Sequence, residues 1–264
     1  MKHPYKEKLQ EEEYFFPYHY LNLLSSFQDI EYLSYLGIIK KELEEARKVM
    51  DIGCGDGRFE YGLKDNKINV LGIDLSKQAI AFAKAFNINN ENAEFICKDA
   101  FNLKIKEKVD AVISIETFEH IKKEKLKELI KKMAKFIKDR GKLIISVPSK
   151  NLALAEKHFQ HFDEELLKDY LNENFKVEKI IWHHKQGFMA NLFRFLNLAG
   201  RLAEMLDKNS NIIKKYSGFL ANFYKKNVEI AEKDNGKRII VVCRKIRKTK
   251  VFRTPSPFKN DEKF

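Results

Sequence analysis

Beginning at Lys48, short apolar runs alternate with amphipathic stretches. VMDIG precedes FEYGL, VLGID precedes QAIAFAKAF, VDAVISI precedes KLKELIKKMAKFI, and KLIISVP precedes EELLKDYL; AEFICKD and KVEKIIW are further short runs. The runs have strand length, and the stretches between them repeat apolar residues at helical spacing. Such alternation predicts parallel strands whose crossover helices cover both faces of one sheet. The last run, RIIVVCR at 238–244, follows KVEKIIW without an ordinary crossover helix, which predicts an antiparallel edge hairpin. The expected fold class is α/β, a Rossmann-like doubly wound sheet of about seven strands. N-terminal helices precede it, and a helical cap is inserted before the last strand.

The boundaries follow from shifts in pattern. Residues 1–46 read as a polar helical segment interrupted by the aromatic cluster Tyr14-Phe15-Phe16-Pro17-Tyr18-His19-Tyr20. Residues 47–246 carry the alternating pattern, with 187–233 as the inserted cap, and 247–264 form a basic tail expected to be disordered. In the cap, Phe188, Leu192, Phe195, Leu196, Ala199, Leu202 and Leu206 form a broad apolar face. Asn191, Arg194, Asn197, Arg201 and Glu204 form a narrow polar stripe at the same period. The formal charge of +12 is spread over helix faces, with lysine interleaved with glutamate, and reads as solvated surface except in the tail. Cys54, Cys97 and Cys243 are too scattered for a disulfide framework or a zinc knuckle, and each reads as a small core residue. The charged start at 1–13 does not resemble a signal peptide, and no apolar run reaches the length of a membrane span. The default expectation is a reducing, cytoplasmic setting, with peripheral membrane contact through the cap as an extension of it.

The run Val49-Met50-Asp51-Ile52-Gly53-Cys54-Gly55-Asp56-Gly57-Arg58 ends a buried strand and opens a helix. Glycines there let the backbone approach a ligand, and the helix start offers unpaired N–H groups. A dinucleotide site needs its third glycine at the position held by Arg58, so that reading fails. Asp51 would repel a pyrophosphate and better suits a ligand carrying an ammonium group, such as the methionine part of S-adenosylmethionine (SAM). Val70-Leu71-Gly72-Ile73-Asp74 then ends in an acid placed to accept from both ribose hydroxyls. AEFICKDA ends at Asp99, placed to accept from an adenine amine.

These residues resemble the class I SAM-dependent methyltransferases over about 48–183 plus the final strand. The ordered set D-I-G-C-G-D-G, G-I-D-L-S, K-D-A, V-D-A-V-I-S-I-E and G-K-L-I-I-S-V-P carries the resemblance. It implies a SAM site with Asp51, Gly53, Gly55 and Gly57 around the methionine part, Asp74 and Leu75 at the ribose, Asp99 and Ala100 at the adenine, and Ile115 beside them.

The fourth strand ends in Ile115-Glu116-Thr117-Phe118-Glu119-His120. A chain turning helical here would put Glu116, Glu119 and His120 on one face at the carboxyl edge of the sheet. His120 could then serve as a general base for a substrate hydroxyl, or the three could hold a divalent metal such as magnesium. Alternatively, Glu119 only caps the helix start. The E-x-x-E-H run resembles the ubiquinone-biosynthesis-type O-methyltransferases and the small-RNA 3′-terminal 2′-O-methyltransferases. Their metal sites add a later histidine, which implies His158, with His161 as runner-up, in the run KHFQHF.

Methyl transfer from SAM depends on placing the nucleophile and excluding water. The acceptor pocket is therefore expected from the N-terminal segment and the cap, with Phe188, Phe193, Phe195, Tyr216 and Phe223 as lining candidates. Tyr18, His19 and Tyr20 are candidates to close over SAM, and Trp182-His183-His184 has no assigned role. The leading expectation is O-methylation of a small or lipid-linked molecule. RNA 2′-O-methylation is the second, weakened by the lack of a concentrated basic groove. A non-catalytic SAM-fold protein that binds a partner or membrane is the third.

Overall fold

The computed structural model describes residues 4–17, 27, 30–64, 67–207 and 210–247. The expectations for Tyr18, His19 and Tyr20, and for the tail from 248, lie outside the described residues. Two N-terminal helices, α1 (Pro4–Glu13) and α2 (Ile30–Glu42), precede β1 (Lys48–Ile52). The chain continues through α3 (Arg58–Gly62), β2 (Asn69–Asp74), α4 (Lys77–Phe86), β3 (Ala93–Cys97) and β4 (Val109–Ile115). After α5 (Lys123–Phe136) come β5 (Ile137–Pro148), α6 (Glu164–Leu171), β6 (Phe175–Lys185), the cap helices α7 (Phe188–Leu206) and α8 (Asn211–Asn227), and β7 (Gly236–Lys245).

The seven-stranded sheet has the order β3-β2-β1-β4-β5-β7-β6. Its strands are parallel except β7, which runs antiparallel to both β5 and β6. The late antiparallel pair is as expected, with β6 outermost and β7 between it and β5. The twofold period of the strands sorts side chains into two cores. On β7, Ile239, Val241 and Cys243 join the cluster under α5 and α6, while Ile240 and Val242 join the one under α2 and α3. Leu126, Leu129, Ile130 and Met133 of α5 are buried on one face, so the lysines of that helix are turned outward. Tyr35, Leu36 and Ile39 fasten α2 to the opposite sheet face.

Three expectations are corrected here. Cys97, at the end of β3, is exposed rather than core; Cys54 and Cys243 are buried. The chain does not turn helical at Glu116, because that residue adopts φ 48 and the following 3-10 turn spans only Phe118–His120. In α7 the inward face is Ala190, Phe193, Gly200 and Glu204, while Phe188, Phe195, Leu202 and Leu206 of the apolar stripe are exposed. Asn197 also turns inward and donates to the Phe27 carbonyl at 2.8 Å. The predicted division of this helix therefore holds only in part: Asn191, Arg194 and Arg201 of the polar stripe are exposed and Leu192 and Leu196 of the apolar face are half-buried, but much of the apolar stripe faces solvent.

Candidate active site

A cavity of about 1180 Å³ opens at the carboxyl ends of β1, β2 and β4. Among the described residues its walls include Asp51, Gly53, Gly55, Asp74, Leu75, Asp99, Ala100 and Ile115, all anticipated as cofactor contacts. Gly57 is not in the wall; it caps the start of α3 at φ 78. Gly53 takes φ 84, and a Cβ there would stand 2.3 Å from the Thr117 hydroxyl. Only glycine lets β1 turn so closely against the end of β4.

Asp74 builds the turn as well as facing the cavity. Its carboxylate accepts from Gly55 N and Ser76 N, each at 2.9 Å. Burial raises its pKa against the lowering effect of these backbone donors. Asp99 accepts from Phe101 N at 2.8 Å and from Asn102 Nδ2 at 3.0 Å, so it holds the turn after β3 as it borders the cavity. Tyr14, Glu11 and Glu13 of the N-terminal segment also reach the wall, as expected of that segment. Ser76 donates to Glu11 at 2.9 Å, and Lys157 donates to Glu13 at 2.5 Å, so α1 is tied to both the turn after β2 and the His158 loop.

Asp51 is buried next to Glu60 of α3, a residue not anticipated from sequence. Burial raises both carboxyl pKa values, and Glu60 is held at about 7. The folded, ligand-free protein thus keeps a proton that the unfolded chain releases above the usual Glu value of 4.5. Its stability should fall as pH rises from about 4.5 to about 7 and stay lowered above that. Glu60→Gln removes this penalty. Its stability gain over wild type should grow from near zero at pH 4.5 to about 1–3 kcal/mol at pH 8 in denaturant titrations. A pH-independent difference would contradict the assignment.

The second cluster is Glu119, His120 and His158. One ligand atom from each lies within 4.8 Å of the others. The two imidazoles meet edge to face, with centroids 4.8 Å apart. Glu119 Oε2 and His120 Nδ1 are buried without a hydrogen-bond partner among the described residues. Desolvation lowers the His120 pKa to about 4 and that of His158 to about 3, so both rings are neutral at neutral pH. Burial, and secondarily the Glu116 charge, raises the Glu119 pKa. Phe159 N donates to the Glu119 carbonyl at 2.7 Å, which pins the His158 loop to the turn. His161 stands behind His158, with His158 Nδ1 2.8 Å from His161 Nε2, and so orients that ring rather than joining the cluster.

Glu116 is separate from this group. Its positive φ turns its carboxylate toward Ser146, which donates at 2.6 Å, and toward Arg238 Nε at 3.3 Å. Arg238 also donates to Glu31 at 2.5 Å, and Glu31 reaches His184 at 2.9 Å. Arg238, Glu31 and Tyr35 thus line the cavity beyond the turn, and none was anticipated. His183 and His184 are buried behind them. Trp182 donates to Glu164 at 2.9 Å and so serves packing. The expected aromatic lining from Phe188, Phe193, Phe195, Tyr216 and Phe223 is not part of this wall: Phe188 and Phe195 face solvent, while Phe193, Tyr216 and Phe223 pack inside the cap.

Residues 49–141 match the family model described as a methyltransferase domain. An uncharacterised protein of Methanocaldococcus jannaschii is 27% identical over 180 residues, covering 66% of this chain and 75% of that protein. A ubiquinone biosynthesis O-methyltransferase of Coxiella burnetii is 30% identical over 115 residues, covering 40% of this chain and 46% of that enzyme. In fold, the chain is similar to an N-methyltransferase of Bradyrhizobium japonicum solved with S-adenosyl-L-homocysteine (SAH). That likeness has a TM-score of 0.57 and 13% identity and covers 83% of this chain and 88% of that one. By fold, domain match and cofactor turn, the chain is a SAM-dependent methyltransferase.

Proposed function

We propose that this chain O-methylates a hydroxyl of a small or lipid-linked molecule. The observation that carries the reading is the group of buried Glu119 and half-buried His120 and His158, with neutral imidazoles in the same cavity as the glycine turn. A hydroxyl is a weak nucleophile until its proton is accepted or its pKa is lowered, and a neutral imidazole can accept that proton. The partial likeness to the Coxiella burnetii O-methyltransferase supports the same choice. Arg238, held between Glu31 and Glu116, gives the far wall of the cavity a fixed polar surface against which an acceptor can be oriented.

The same three residues fit a divalent cation. Two of their polar atoms are buried without partners among the described residues, and one carboxylate with two neutral imidazoles is a donor set suited to magnesium, manganese or zinc. Glu119, His120 and His158 would hold the ion, and Glu116 would not, since it serves Arg238 and Ser146. Such an ion would lower the pKa of an acceptor hydroxyl. The test is a panel of phenols, aliphatic alcohols and amines with labelled SAM, run with and without chelator. The reading expects transfer to hydroxyl acceptors. Transfer confined to amines would refute it, and full activity after chelation would remove the metal from it.

A further inference from the structure

We propose that the outward apolar face of α7, continued by Ile212 and Phe219 of α8, docks on the surface of an anionic lipid bilayer. Leu206 is 90% exposed, Met205 82%, Phe188 77% and Phe195 69%. Leu198 and Leu202 lie on the same side of the helix, also exposed. Single exposed apolar residues are ordinary, but a contiguous helical face of them marks an interaction surface.

The outward setting of these apolar residues of α7 is built in by packing. Gly200 sits against Phe27 so closely that a Cβ would lie 2.5 Å from the ring. Asn197 donates to the Phe27 carbonyl, Glu204 is buried, and Phe193 packs on Tyr224 with centroids 4.9 Å apart. Rotating the helix to hide its apolar face would break these contacts and drive larger side chains onto Phe27. On α8, Ile213, Leu220 and Tyr224 face inward, while Ile212 is 78% and Phe219 55% exposed.

Charge selects the occupant. Residues 185–227 contain eight Lys or Arg and two Asp or Glu, and one of the two acids, Glu204, is buried. Arg194 and Arg201 lie on α7, and Lys214, Lys215, Lys225 and Lys226 on α8. A second copy would bring like charges together across the contact. An anionic lipid surface offers both an apolar layer and the opposite charge, and long basic side chains can cover apolar surface while keeping their heads at the phosphates. Among the described residues no helix is long and apolar enough to cross a membrane, so the contact lies in the plane of the interface. The cap also borders the acceptor end of the site. A cavity of about 350 Å³ lined by Phe193, Arg194, Asn197 and Arg201 shares Glu31 with the main cavity.

The inference concerns the surface alone and is read without acceptor or turnover. The full chain is floated with phosphatidylcholine vesicles and with vesicles containing roughly one-third phosphatidylglycerol. Binding is expected to be at least about tenfold tighter to the anionic vesicles and to weaken with salt. The exposed-face variant Phe195→Ser/Leu202→Ser/Leu206→Ser, with its melting temperature preserved, should lose at least about tenfold of that affinity. Arg201→Glu/Lys215→Glu should lose the preference for anionic lipid. No binding to anionic vesicles, unchanged binding by the exposed-face variant, or self-association through this face in sedimentation would each overturn the proposal.

Discussion

Replacing His120 by alanine is expected to lower kcat by about 10²- to 10⁴-fold while SAM affinity stays within about threefold. The expectation rests on position and protonation together. His120 closes the 3-10 turn after β4, borders the cavity and faces His158 edge to face. Its ring is neutral at neutral pH because burial pushes its pKa down to about 4. Its Nδ1 has no hydrogen-bond partner among the described residues, so the atom is unspent for an acceptor proton or a cation. Among the described residues no hydrogen bond ties the His120 side chain to the glycine turn, which is why SAM binding should survive. Single-turnover kinetics with calorimetry of SAH binding separates the two effects. Turnover within about threefold of wild type would remove His120 from the chemistry.

Asp74→Ala is expected to weaken SAM binding by at least about 100-fold, through loss of charge-assisted acceptors for two ribose hydroxyls. Part of the loss is indirect. The carboxylate also accepts from Gly55 N and Ser76 N, so its removal leaves the turn's own donors without a partner. Asp74→Asn keeps one oxygen as an acceptor and should lose roughly tenfold. Calorimetric titration with SAH reads both variants. Equal affinity for wild type and Asp74→Ala would remove the ribose contact, whatever the state of the turn.

The parts of the site legible in sequence are those where backbone geometry restricts residue choice. Gly53 reads directly because a side chain there would collide with Thr117. Asp74 reads because it ends β2, and Asp99 because it follows β3 by two residues, at strands whose extent the apolar runs define. Glu60 was hidden because a glutamate on a short helix looks solvated, and only tertiary packing puts it against Asp51. Glu116 was grouped with Glu119 and His120 because their spacing matches one helical face; a single residue at φ 48 breaks that geometry and sends its side chain to Arg238. Arg238 itself lies near the start of β7 and carries no motif.

The cap shows a different limit. A helical period divides α7 into two faces but gives no sign to them. The apolar face is the natural choice for the inside, yet Gly200, Asn197 and Glu204 are the residues that fit against Phe27 and its surroundings. The consequence runs from packing to function. The cavity is walled by Tyr35, Arg238 and the N-terminal segment instead of a layer of phenylalanines; Phe188 and Phe195 face solvent, and Phe193 and Phe223 pack inside the cap.

The most direct test of the SAM site is a crystal structure with SAH bound. The account predicts the ribose hydroxyls within hydrogen-bond distance of the Asp74 carboxylate, the amino group over Asp51, and the sulfur turned toward the side of the cavity that holds Glu119, His120 and His158. SAH bound elsewhere, or bound in this cavity with its ribose away from Asp74, would contradict it.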